Sequence, residues 1–109
     1  QMAQIASLLI PSGLIVKGWF VVRGRDNGQI KRELVVKDIE TGRIYKTELL
    51  PVYRPDVEGL FVESNDGTTR TAFSGINVVI KNLPQHTLQI GVMANNKIKW
   101  EDTLWNQMK

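Results

Sequence analysis

Four turn-forming sequences divide this chain into short segments rich in β-branched residues: Asp26-Asn27-Gly28, Glu40-Thr41-Gly42, Asn65-Asp66-Gly67 and Asn95-Asn96. Asn, Asp and Gly favour turns because they tolerate positive φ angles or hydrogen-bond to their own backbone. Between these turns apolar and polar residues alternate, which places successive side chains on opposite faces of a strand. The sequence therefore predicts an antiparallel all-β protein.

Seven or eight strands are predicted, with no convincing helix longer than one turn. The clearest segments are 5–10, 14–22, 32–39, 44–50, 72–81, 88–93 and 97–104. Pro51 and Pro55 predict an extended loop after the fourth segment, because proline cannot donate a hydrogen bond to a strand ladder. Strands at this spacing are typical of two packed sheets. We predict an immunoglobulin-like β-sandwich, with a small closed β-barrel as the alternative.

The length and composition fit one domain. A chain of 109 residues with 42% hydrophobic residues can bury a single core, and we predict one domain over residues 1–109. Because the chain starts with Gln1 rather than methionine, we expect it to be excised from a longer protein. The absence of cysteine excludes disulfides, thiolate nucleophiles and cysteine-bound metals. The apolar stretch 2–22 contains Pro11 and Lys17, so no membrane-spanning segment is predicted.

The positive charge of the chain is small and mostly dispersed. Fourteen Lys and Arg residues face eleven Asp and Glu residues, a net charge of +3. The one tight basic group, around the first turn, is Arg23, Arg25, Lys31 and Arg32. We predict that this group is the solvated tip of a hairpin, and we do not expect a nucleic-acid partner. A nucleic-acid-binding β-barrel is kept as an alternative function.

The titratable residues do not form a recognisable catalytic set. His86 is the only histidine, so a multi-histidine metal site is excluded, and we expect this residue to face solvent in a turn. The candidate carboxylates are predicted to be surface charges: Asp56, Glu58, Glu63, Asp66, Glu101 and Asp102. We predict that the protein is not an enzyme and has no cofactor or metal. A small hydrolase using Asp56 with Glu58 or Glu101 is the second alternative.

The most informative candidate binding residues are Tyr53, Arg54, Asp56 and Trp105. Aromatic rings with polar neighbours are suited to sugars, because the ring packs on apolar C–H groups while polar groups bind hydroxyls. Tyr53 lies in a proline-bounded loop and Trp105 near the C-terminus, so these two are the candidates for an exposed ring, and the sequence leaves their exposure open. Arg54 and Asp56 either fasten their loop through a charge-assisted bond or present a polar pair to a ligand. Two other tryptophans, Trp19 and Trp100, are expected in the core.

Short motifs spread over nearly the whole chain carry a family resemblance. They are Gly18-Trp19-Phe20, Tyr53-Arg54-Pro55-Asp56-Val57 followed by Phe61, Ala72-Phe73-Ser74-Gly75, and the strand 86–92. In these motifs the chain resembles an accessory β-sandwich domain of cell-surface polysaccharide proteins of Gram-positive bacteria, including glycosyltransferases. The family pattern has Ser-Gly-Phe where this chain has Phe73-Ser74-Gly75-Ile76.

The resemblance implies a noncatalytic accessory module. Such a module binds carbohydrate or mediates assembly with other domains of a cell-envelope protein; a cytoplasmic location is the alternative. An open sandwich also has edge strands, so self-association through an edge is a further expectation.

Overall fold

The computed structural model describes residues 2–10, 13–60 and 69–106, and these residues form seven strands and one short helix. In chain order the elements are β1 (Met2–Ile10), β2 (Gly13–Val21), β3 (Arg32–Asp38), β4 (Ile44–Leu49), α1 (Pro55–Leu60), β5 (Gly75–Lys81), β6 (Thr87–Ala94) and β7 (Lys97–Asn106). One sheet has the order β1-β2-β5 and the other β4-β3-β6-β7. All pairs within these sheets are antiparallel.

The two sheets bury one apolar face each. In β2 the side chains of Leu14, Val16 and Phe20 point inward and lie in the core, whereas Lys17 is exposed on the opposite face. From the other sheet Leu34 of β3 and Ile90 of β6 join the same cluster. Alternation of this kind allows two sheets to pack through their inner faces while their outer faces meet solvent. The predicted all-β, immunoglobulin-like sandwich is confirmed.

The tight turns predicted at two places are confirmed. Glu40-Thr41-Gly42 joins the antiparallel strands β3 and β4, and Asn95-Asn96 joins β6 and β7. Gly42, Asn95 and Asn96 have φ angles of 77°, 53° and 63°, the left-handed conformation that these residue types tolerate. The predicted turn at Asn65-Asp66-Gly67 lies outside the described residues.

The first predicted turn is not a hairpin tip. The chain crosses from one sheet to the other over residues 22–31, because β2 pairs with β1 and β5 whereas β3 pairs with β4 and β6. The prediction for the basic group is therefore wrong in two respects: the group does not lie at a hairpin tip, and Arg32 is not solvated. Arg32 is buried, since its guanidinium donates from Nη1 to Ser74 O at 2.8 Å and from Nη2 to Gly75 O at 3.1 Å. Arg23, Arg25 and Lys31 are exposed on the crossover loop.

The loop after β4 runs in extended form and then makes helix α1, which the sequence did not predict. Pro55 occupies the first helical position, where a missing N–H costs nothing because that donor has no intrahelical acceptor. The Arg54 carbonyl accepts hydrogen bonds from the backbone N–H groups of Val57 and Glu58 at 3.1 and 3.3 Å. Val57 is fully buried, so this short helix is held by packing.

Candidate functional site

A shallow groove of about 220 Å³ runs over the outer face of the three-stranded sheet. Gln4 and Trp19 are direct cross-strand partners, and the Trp19 Nε1–H donates to Gln4 Oε1 at 3.3 Å. Ala6, Lys17 and Arg54 also line the groove. A half-buried aromatic ring thus lies beside an amide, an ammonium and a guanidinium group.

The prediction that Trp19 belongs to the core is wrong. The fully buried residue is its neighbour Phe20, whereas Trp19 is half-buried on the opposite face of β2. Lys17, two residues earlier, is exposed on the same face as Trp19. The position of Lys17 in the sequence was the signal that could have placed Trp19 outside the core.

Arg54 and Asp56 form a bidentate ion pair that fastens the loop. Arg54 Nε donates to Asp56 Oδ1 at 2.9 Å and Nη2 donates to Oδ2 at 2.7 Å. Arg54 Nη1 also donates to the Gly18 carbonyl of β2 at 3.0 Å. The hydrogen bond from Arg54 lowers the pKa of Asp56 to about 2. This pair therefore has the fastening role that the sequence left open, and Arg54 lines the groove as well.

Tyr53 lies on an exposed aromatic surface next to this loop. Its ring centroid is 5.3 Å from that of Phe73, with the two planes tilted by 38°. Tyr53 is 59% exposed and Phe73 47% exposed, so both rings present apolar area to solvent. Tyr53 does not line the Trp19 groove. A binding role for this residue stays a prediction.

The other two tryptophans lie on β7. The prediction that Trp100 is a core residue is wrong, because it is only partly buried and lies over Gly91 on the outer face of the four-stranded sheet. A Cβ added at Gly91 would lie 2.8 Å from Trp100 Cε3, so glycine is what lets the indole approach. The Trp105 backbone pairs with Leu88, but the exposure of its side chain lies outside what the structure describes.

His86 and Asp38 form a clasp at one end of the sandwich. The His86 side chain is 38% exposed, so it meets solvent as predicted, but it also binds a buried carboxylate, which the sequence did not predict. His86 Nδ1 donates to Asp38 Oδ2 at 2.7 Å, and Asp38 is 1% exposed. Asp38 Oδ1 accepts from the backbone N–H groups of Glu40 and Thr41 at 2.9 and 3.2 Å. The clasp ties the loop before β6 to the β3–β4 hairpin. Residues 38 and 86 are too far apart in sequence for a local pattern to have paired them.

The clasp shifts the pKa of both partners. The hydrogen bond to Asp38 raises the pKa of His86, since the carboxylate stabilises the charged imidazolium. Burial alone would raise the pKa of Asp38, but the hydrogen bonds from His86, Thr41 and Glu40 outweigh it and lower that pKa. Because the pKa of Asp38 is lowered from 3.8 and that of His86 is raised from 6.5, both partners are charged between these two values.

Comparison of the chain with protein-family models, with curated proteins and with solved structures finds no match. Within residues 2–10, 13–60 and 69–106, no three His, Asp or Glu side chains are grouped so that they could hold a metal ion. In the same part of the chain, no helix has the length and apolar character needed to cross a membrane. The site must therefore be interpreted from its own geometry.

Proposed function

We propose that this domain is a noncatalytic carbohydrate-binding module of a cell-envelope polysaccharide protein, and that the Trp19 groove holds the glycan. The proposal depends on one observation above all: an accessible indole on a sheet face, bordered by Gln4, Lys17 and Arg54. The sequence resemblance to accessory domains of polysaccharide proteins supports the same class of ligand.

The groove offers the two kinds of contact that a sugar requires. The apolar face of a pyranose ring packs on an aromatic ring, and the amide, ammonium and guanidinium groups bind its hydroxyls. The bond from Trp19 to Gln4 fixes the indole before any ligand arrives, which lowers the entropy lost on binding. A shallow groove open along a sheet suits part of an extended polymer.

The geometry of the carboxylates supports a noncatalytic role. A glycoside hydrolase needs a general acid with a raised pKa and a second carboxylate on the other side of the scissile bond. Asp56 has a pKa of about 2 and both of its oxygens are bound by Arg54. Glu101 lies on the other sheet, with Oε2 3.8 Å from Lys99 Nζ. These residues therefore do not favour the hydrolase alternative.

Binding of envelope glycans by two matched tryptophan variants tests the proposal. Trp19→Ala should weaken binding about tenfold or more, because loss of a stacked ring removes roughly 1.5 kcal/mol. Trp100→Ala is the control, since Trp100 is also half-buried on an outer sheet face but lies in the other sheet. Calorimetric titration measures the affinities, and circular dichroism confirms that both variants fold.

Three results would contradict the proposal: no binding to any envelope polymer, equal losses in the two variants, or hydrolysis of a bound glycan. Tyr53→Ala and Trp105→Ala extend the series to the other two aromatic candidates. A loss confined to these two variants would move the binding surface away from the groove.

A second role in assembly is supported by the edge strand β1. In the described structure β1 pairs with β2 alone, and Met2–Ile10 contains no charged residue. The edge strands of the other sheet, β4 and β7, carry lysines and glutamates, which discourage pairing with another chain. We infer that β1 pairs with β1 of a second copy, which would extend the three-stranded sheet.

Sedimentation equilibrium tests this second role. The wild-type domain should show a concentration-dependent dimer, and Leu8→Lys should abolish it, because Leu8 is 62% exposed on β1. Val79→Lys is the matched control on the far edge strand, β5, where Val79 is 50% exposed. A wild-type monomer at millimolar concentration, or a dimer that survives Leu8→Lys, would contradict the assembly role.

A further inference from the structure

A second concave site lies at the end of the sandwich where the crossover loop 22–31 meets the β6–β7 turn. Its volume is about 250 Å³, smaller than a typical pocket for a drug-sized ligand. The polar side chains that line it are Arg25, Gln29, Lys31, Glu33, Asn95 and Asn96. We call this site the loop pocket; it is formed by other residues than the Trp19 groove.

The loop pocket has a surplus of positive charge. Arg25 and Lys31 face one carboxylate in the lining, that of Glu33. Where both partners are described residues, the ion pairs join Arg54 to Asp56, His86 to Asp38 and Lys99 to Glu101, and none of these pairs involves Arg25 or Lys31. Arg25 Nη1 donates to Asn95 Oδ1 at 3.3 Å. The other guanidinium N–H groups are then available to a ligand.

A buried asparagine fixes the loop that carries Arg25. Asn27 is fully buried; its Oδ1 accepts from Val22 N–H at 2.8 Å, and its Nδ2 donates to the carbonyls of Val22, Arg25 and Arg70 at 3.2, 3.2 and 2.8 Å. The Gly24 N–H is bound by Thr69 Oγ1 at 2.8 Å. Hydrogen bonding of this kind, away from water, rigidifies a loop.

The opposite wall of the pocket is the β6–β7 turn. Asn95 and Asn96 form the tight turn with left-handed φ angles described above. The bond between Arg25 and Asn95 links this turn to the crossover loop. Arg25 and Asn95 are thus placed before binding, which is what a specific site needs.

We propose that the loop pocket binds the anionic group of an acidic glycan, a sugar carboxylate or phosphate. A guanidinium binds two oxygens of such a group at once, and an ammonium adds charge. The amides of Gln29, Asn95 and Asn96 suit the hydroxyls of the same sugar. This inference rests on the proposed function and deepens it, because it specifies an acidic polymer.

NMR titration of the labelled domain at low salt tests the inference with sodium glucuronate, inorganic phosphate and glucose. Both anions should shift the backbone amide signals of residues 29–31 and 95–96, and glucose should not. Shifts by glucuronate alone would assign a sugar carboxylate, and shifts by phosphate alone a sugar phosphate. No shift at these residues with either anion would overturn the inference.

Charge-neutral variants make the test specific. Arg25→Gln and Lys31→Gln should each weaken anion binding about fivefold to tenfold. Lys46→Gln on β4 is the matched control, since Lys46 is exposed but does not line the pocket. Equal losses in all three variants would overturn the inference, because they would indicate attraction by net charge only.

Two polymers separate this inference from its rivals. An oligogalacturonate should bind in an Arg25-dependent manner, and a single-stranded oligonucleotide of equal charge should bind more weakly. Tighter binding of the oligonucleotide would overturn the assignment to a glycan.

The results for the groove and the loop pocket can be told apart. If neutral glycans bind through Trp19 while neither anion shifts the signals of the loop pocket, this inference fails and the proposed function stands. If anion binding persists while Trp19→Ala changes no glycan affinity, the groove proposal fails instead.

Discussion

At both ends of the sandwich a buried polar side chain holds a loop in place, but the two side chains differ in chemistry. The side chain hydrogen-bonds to the backbone of the loop: Asn27 does so in the crossover loop, and Asp38 does so at the start of the β3–β4 turn. Asn27 is a neutral amide bonded only to backbone, whereas Asp38 is a carboxylate that also binds His86. The bonds of Asn27 therefore do not titrate, whereas the bond between Asp38 and His86 joins two titrating groups.

The signs of the two pKa shifts define when the Asp38–His86 clasp is complete. The folded-state pKa of His86 is raised from 6.5, so its contribution is complete below pH 6.5 and is lost as pH rises through the raised value. The pKa of Asp38 is lowered from 3.8, so its contribution is complete above pH 3.8 and is lost as pH falls through the lowered value. The clasp is therefore strongest between about pH 3.8 and 6.5.

Removing the Asn27 side chain should have the largest effect on stability. Asn27→Ala leaves the Val22 N–H and several buried carbonyls without their partner, and it should lower the free energy of unfolding by about 3 kcal/mol. Urea denaturation measures this loss, which should be similar at pH 5 and pH 8. Asn77→Ala, at an exposed position on β5, is the control and should change little. A loss below about 1 kcal/mol would contradict the structural role of Asn27.

Removing the imidazole should give a smaller, pH-dependent effect. The difference in unfolding free energy between wild type and His86→Gln should be greatest near pH 5 and should shrink at pH 8 and above, because the clasp then loses its charge. Urea denaturation across a pH series gives the profile. A difference that does not vary with pH would show that the charge of His86 contributes nothing.

Neutralising Asp38 should change the titration of its partner. In Asp38→Asn the Oδ1 position can still accept from Glu40 and Thr41, but the negative charge beside His86 is gone. The pKa of His86, followed by the NMR shifts of its ring protons, should fall from its raised value toward or below 6.5. An unchanged midpoint would contradict the assignment of the shift to Asp38.

Substitutions in the β3–β4 and β6–β7 turns should give the smallest effects on stability, with opposite signs. Gly42→Ala should destabilise by about 1 kcal/mol, because alanine is strained at a φ of 77° although its Cβ would meet no atom within 4 Å. Asn96→Gly should stabilise by at most about 0.5 kcal/mol, because glycine adopts this conformation more readily. Thermal denaturation resolves both shifts, and equal signs would contradict this account of the turns.

The strands and their hairpins could be predicted from sequence because their signals are local. Alternation over a few residues gives a strand, and Asn95-Asn96 between two such segments gives the β6–β7 turn. The same local logic failed at Asp26-Asn27-Gly28. This sequence suits a hairpin, yet Asn27 binds Arg70, 43 residues away, and the chain crosses between sheets there.

The candidate sites were only partly predictable. Arg54 was identified because its spacing to Asp56 is local, and the ion pair is present. The groove was missed because Trp19 was assigned to the core from its apolar neighbours, although Lys17 marked its face as exposed. The loop pocket and the His86 clasp could not be predicted, since each joins segments that are distant in sequence and adjacent only after folding.

Arg32 has a consequence for how a long polymer would meet this domain. Its guanidinium reaches from β3 to the carbonyl of Ser74, just before β5, and to that of Gly75, the first residue of β5. Sliding the sheets by one residue would break both bonds and leave a buried cation without partners. These two bonds therefore favour one alignment of the two layers. The distance between the groove and the loop pocket would then be fixed. A glycan that contacted both sites would gain affinity from both only if its repeat length matched that distance.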